Sequence, residues 1–104
     1  MKTSEEAKKE LTEMLKLAEV PVKPSYRRGE VCAALAISER HFWTLIERFE
    51  PNPDTGEPLR PDSLDSYMYR RERRVRFYEL VAFLRRNNTY HRKNALDSKQ
   101  LSLF

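Results

Sequence analysis

Glycine is almost missing from this chain: Gly29 and Gly56 are the only two among 104 residues. Loops that cradle phosphates need several glycines so that backbone N–H groups can close on the ligand, and nucleotide sites of that kind are therefore not expected. Cysteine occurs once, as Cys32. That excludes an internal disulfide and fits a reducing cytoplasm; within its short helix Cys32 reads as a small core residue. The two histidines, His41 and His91, lie far apart without Cys or acidic neighbours at ligand spacing, so no metal site is expected. No apolar run is long enough to span a bilayer, and the charged first residues carry no signal pattern. Asp62 and Asp65 form the nearest thing to a carboxylate pair, but neither a nucleophile nor a metal ligand accompanies them, and loop and strand-start roles suit them better. No catalytic constellation emerges. The expectation is a protein that is not an enzyme and has no cofactor, no internal repeat and no membrane partner.

What the chain has in quantity is charge. Charged residues make up 35% of it, with a net charge of +4, unevenly spread. Residues 1–20 hold four Lys against five Glu, whereas Arg70 to Lys93 holds nine Lys or Arg against Glu72 and Glu79, a net of +7. A block of that kind, mostly arginine, suits a polyanion-binding surface.

Helical patterning frames the chain. Thr3 and Glu6 have capping-box form, and Ala7, Leu11, Met14, Leu15 and Ala18 recur at helical spacing, which predicts an amphipathic helix from about Ser4 to Glu19. Pro21 and Pro24 stop it. Its apolar stripe covers its own domain or, alternatively, a second copy in a homodimer. A short helix over Glu30 to Leu35 follows, then a turn and Ser38 as N-cap. The next helix carries Phe42, Leu45, Ile46 and Phe49 on one side and Glu39, Arg40, His41, Thr44, Glu47 and Arg48 largely on the other. Two such helices joined by a tight turn describe a helix-turn-helix; Trp43 falls at the edge of its core. Pro51 to Pro58 is turn chemistry. Tyr67, Tyr69, Val75 and Phe77 fit the two strands of a hairpin with Arg70 to Arg73 at its tip. Glu79 to Arg86 reads as a third core helix, ended by Asn87 and Asn88. Residues 88–99 are polar and without periodicity and read as a flexible linker.

The run Glu30-Val31, Leu35, Ile37-Ser38, Leu45-Ile46 resembles the opening of the MerR and excisionase type of winged helix-turn-helix, whose usual pattern is E-V-A-x-x-L-G-V-S before the recognition helix. Arg73 to Leu84 resembles the end of their wing and the helix after it. The similarity covers roughly Tyr26 to Asn87. Ala36 stands where a turn glycine is usual, and Arg27 where Ser or Thr often caps the first helix. The resemblance implies a mainly α domain with a small β-hairpin wing that binds double-stranded DNA. The second helix would enter the major groove, presenting Arg40, His41, Thr44 and Arg48 to bases. Arg70, Arg71, Arg73, Arg74 and Arg76 would meet phosphates or the minor groove.

The sequence closes with Gln100-Leu101-Ser102-Leu103-Phe104. This is similar, residue for residue, to the pentapeptide by which bacterial proteins dock on the DNA polymerase sliding clamp. Leu101, Leu103 and Phe104 would anchor in a preformed pocket, Gln100 would add directional hydrogen bonds, and Ser102 would keep the peptide soluble and turned. The alternative is that these apolar residues fold back on the protein's own core. A twelve-residue linker averages roughly 20 Å as a coil, enough for the tip to reach a neighbouring ring. The expected organisation is an N-terminal helix over 1–20, a winged helix-turn-helix over 26–87, a linker over 88–99 and a clamp-binding peptide over 100–104. The expected function is DNA binding coupled to the clamp, in replication or its regulation, at the cytoplasmic nucleoid. The alternatives are an excisionase-like architectural factor or transcription regulator of a phage or mobile element, and an adaptor whose domain binds only protein.

Overall fold

The computed structural model describes residues 3–87. The elements run α1 (Ser4–Leu17), β1 (Ser25–Arg27), α2 (Arg28–Leu35), α3 (Glu39–Arg48), β2 (Tyr67–Tyr69), β3 (Glu72–Arg76) and a closing helix α4 over residues 77–87. Four helices and a small three-stranded antiparallel sheet agree with the expected mainly α class. The linker over 88–99 and the peptide over 100–104 lie outside the described residues. Among the described residues no helix is long and apolar enough to cross a membrane.

Each helix begins and ends for a local reason. Thr3 caps α1 by accepting the Glu6 N–H at 3.2 Å. The helix stops two residues before the expected Glu19 because Glu19 takes a left-handed conformation (φ 60°). The Glu19 N–H then bonds the Lys16 carbonyl at 3.1 Å and the Val20 N–H bonds that of Leu15 at 2.9 Å, a Schellman closure. Ala7, Leu11 and Leu15 are fully buried, in one core with Val31, Phe42, Val75 and Leu80, so the α1 stripe covers its own domain. At α2, Glu30 accepts the Arg27 N–H at 3.0 Å, while arginine has no acceptor to complete the reciprocal bond. The same closure ends α2: Ala36 stands at φ 55°, and the Ile37 N–H reaches the Cys32 carbonyl at 3.0 Å. Ser38 Oγ then accepts the His41 N–H at 3.0 Å and starts α3.

The sheet holds what the sequence pattern omitted. β1 was not among the expected elements; it pairs with β3, giving the order β1-β3-β2. Tyr26 explains the pairing: it lies opposite Val75, both are fully buried, and its hydroxyl accepts the Lys23 N–H at 3.0 Å. The hairpin turn is tighter than Arg70 to Arg73. Tyr69 pairs with Glu72, leaving only Arg70 and Arg71 in the turn, at φ 50° and 70°. Positive φ at both central positions is the type I′ geometry that matches strand twist. Phe77 opens α4 rather than ending a strand, and its N–H closes on the Pro24 carbonyl at 2.9 Å. α4 therefore begins two residues ahead of the expected Glu79.

The long segment between α3 and β2 is tied at both ends. Asn52 Oδ1 accepts the Asp54 N–H at 2.8 Å, and Gly56 supplies the positive φ (77°) that the turn needs. Leu64 is fully buried, with its N–H on the Leu45 carbonyl at 3.0 Å. Beyond it Arg86 of α4 donates to the Ser63 carbonyl at 2.8 Å and to Glu79 at 3.0 Å.

Candidate nucleic-acid interface

Three elements bring arginine to one concavity. β1 and the start of α2 supply Arg27 and Arg28, the β2–β3 hairpin supplies Arg71 and Arg73, and Trp43 of α3 and Met68 of β2 form apolar patches between them. The cleft has a volume of about 530 Å³. Strand alternation explains the hairpin's share. Arg73 lies opposite Met68 on the face that, two residues later, carries Val75 into the core. The other face carries Tyr67, Tyr69, Arg74 and Arg76. There Arg76 stacks 4.4 Å over the Tyr67 ring, and Arg74 and Arg70 lie 5.0 Å and 5.4 Å from the Tyr69 ring. Cation–π contact holds these guanidinium groups in place without cancelling their charge.

The sequence-chosen residues divide by what they already touch. On α3, Arg40 and His41 are exposed in the first turn, and neither side chain has an ion-pair partner among the described residues. Thr44 is half-buried and its hydroxyl donates to the Arg40 carbonyl at 3.0 Å, leaving its methyl and lone pairs for a ligand. Arg48 is engaged by Asp62 at 2.7 Å and turned toward the 49–66 segment. On the hairpin, Arg70 and Arg71 are exposed at the turn. Arg73 donates to Ser66 Oγ at 3.3 Å, and Arg74 pairs with Glu72 at 3.2 Å. Each of these two leaves a buried Nε without an acceptor. Arg76 is exposed apart from its Tyr67 stack.

Arg27 and Arg28 escaped the sequence reading because they sit outside the arginine-rich block; their only local signal is a place at a helix start before Glu30. Arg27 pairs with Glu72 at 3.4 Å, so one carboxylate holds both Arg27 and Arg74. Arg28 pairs with Glu39 at 3.1 Å and lies 5.9 Å from the Trp43 ring. The Arg27–Glu72 and Arg28–Glu39 pairs are about half exposed to solvent and contribute little to stability. Trp43 lies half-buried at the edge of the core, edge-on to Phe42 at 5.3 Å.

Two titratable groups beneath this face depart from their ordinary values. Burial alone would raise Glu30, but the Arg27 N–H and the Lys23 ammonium overcome it and hold the carboxyl below its ordinary 4.5. Its contribution to stability is present above 4.5 and is lost as pH falls through the lowered value. Burial and the neighbouring Glu39 push the Cys32 thiol up, against the opposing pull of Arg28, so it is a poor nucleophile at neutral pH. Comparison with protein-family models, with curated proteins and with solved structures returns no match.

Proposed function

We propose that this protein is a winged helix-turn-helix that binds duplex DNA and docks on the bacterial DNA polymerase sliding clamp through Gln100 to Phe104, acting in replication or its regulation. The observation that carries the DNA half is the convergence of Arg27, Arg28, Arg71 and Arg73 on one cleft beside α3. Arginine is suited to phosphate because its planar fork donates two parallel hydrogen bonds. In this reading α3 lies in the major groove with Arg40 foremost, since arginine to guanine is the commonest specific base contact. The β2–β3 turn lies against the backbone or in the minor groove, where Arg70 and Arg71 find phosphates. Arg74 and Arg76, held on the tyrosine rings, border the same strand.

The clamp half rests on the pentapeptide alone. Its mechanism is tethering: the domain holds DNA, the peptide holds the ring, and each raises the effective concentration of the other. The test uses the intact chain beside a variant ending at Lys99, with a bacterial sliding clamp and a duplex titrated separately. The expected result is clamp binding by the intact chain only, and equal DNA binding by both. If neither chain binds the clamp, the peptide assignment fails, and the domain stands as an excisionase-like architectural factor or transcription regulator. If DNA affinity does not fall with salt, the DNA half fails instead.

A further inference from the structure

On the far side of α3 from the arginine cleft lies an apolar groove of about 340 Å³. Met14 of α1, Leu35 and Ile37 around the helix-turn-helix turn, Leu45 of α3 and Phe83 and Leu84 of α4 form its walls. Apart from Leu45, these side chains are only partly covered. The volume lies at the lower end of the range of sites that hold small apolar ligands, enough for a few side chains. Asn87 stands at its edge and is 3% exposed. Its Nδ2 donates twice, to Pro61 and Phe83 carbonyls at 2.7 Å and 2.8 Å, while its buried Oδ1 has no donor. The groove thus offers apolar walls, with Glu10, His41, Arg48 and Asp62 on its polar side, features that suit the apolar tip of a peptide.

We infer that this groove receives the chain's own C-terminal segment, with Leu101, Leu103 and Phe104 seated between α1, α3 and α4. Asn87, on the groove wall, is the last described residue, and Leu101 follows it fourteen positions on in the sequence. From Asn88 to Gln100 the tether is thirteen residues long, roughly 20 Å on average as a coil. That is long enough to reverse direction and short enough to keep the tip near its starting point. A tether of that order holds the tip at roughly millimolar effective concentration, so a contact too weak to form between separate molecules is populated within one. The consequence for function rests on the reading above: the seated tip is withheld from the clamp.

The test is made on the full chain, with neither clamp nor DNA present, so it stands or falls apart from the clamp reading. Backbone amide shifts are compared between the natural chain and a variant carrying Leu101→Ser, Leu103→Ser and Phe104→Ser. The expected result is that Ile37, Leu84 and Asn87 amides move, that the difference is unchanged on tenfold dilution, and that a peptide of residues 99–104 added to the variant moves them back. Shifts confined to residues near the substitutions overturn the inference. So do groove shifts that fade on dilution, which make the occupant the tail of a second copy.

Discussion

Ala36 ends α2 with φ 55° and ψ 46°, a left-handed conformation in which a Cβ crowds the following carbonyl. The penalty is about 1–2 kcal/mol for an L residue. Glycine removes it but returns about 0.4–1 kcal/mol through a freer unfolded chain. Ala36→Gly is therefore expected to stabilise the domain by about 0.5–1 kcal/mol. A denaturant midpoint that rises with an unchanged slope would show it; a lower midpoint would mean that the methyl packs usefully. The resemblance to the winged helix-turn-helix pattern already placed this residue in the slot of a turn glycine. The position was readable because a left-handed helix stop depends only on neighbouring residues. Arg48 teaches the opposite. Its helical position made it a base-reading candidate, yet Asp62, fourteen residues on, holds it at 2.7 Å. Nothing local foretells a partner at that separation.

At the scale of the element, the β2–β3 hairpin carries charge where a stabler turn sequence exists. A type I′ turn favours Asn-Gly, which tolerates positive φ, and here both positions are arginine. Arg70→Asn with Arg71→Gly should stabilise the hairpin by about 1 kcal/mol. The same pair of changes should weaken duplex binding for all sequences alike and flatten the salt dependence by about two counterions. Thermal melts and a titration at several salt concentrations measure the two effects on one protein. Loss of affinity without any change in the salt slope would mean that the turn contacts no phosphate. Alternation of apolar and polar residues was enough to announce this hairpin. It did not announce β1, because three residues are too few to show a period, and a strand exists only through its partner.

Across the whole molecule, the arginine-rich block serves two different ends. Arg70 and Arg71 point outward, whereas Arg86 is an internal tie among α4, the 49–66 segment and Glu79, with both side chains of the pair mostly covered. Arg86→Met keeps the aliphatic stem but takes the guanidinium from the Ser63 carbonyl and from the Glu79 carboxylate, which keeps only the Asp65 N–H. The expected loss is about 2–3 kcal/mol, below the range for fully buried pairs because some solvent reaches this one. For a domain of this size that corresponds to a fall of roughly 10–20 °C in Tm, with DNA affinity of the folded protein unchanged. A small loss in stability together with weakened DNA binding would return Arg86 to the interface.

The caps, the apolar stripe of α3 and the presence of the hairpin are properties of residues within a few positions of one another, and the sequence by itself determined them. Only tertiary structure decided which arginines are neutralised, that Tyr26 pairs with Val75, and that Arg27 and Arg28 meet Arg71 and Arg73 across some forty residues of chain. The physical reason is range. Backbone caps and amphipathic faces follow from local geometry and burial, whereas an ion pair or a shared cleft depends on where the packed core places distant segments. The fold class was thus readable from periodicity, while the shape and charge of the proposed interface came from the packing of the sheet against α2 and of α2 against α3.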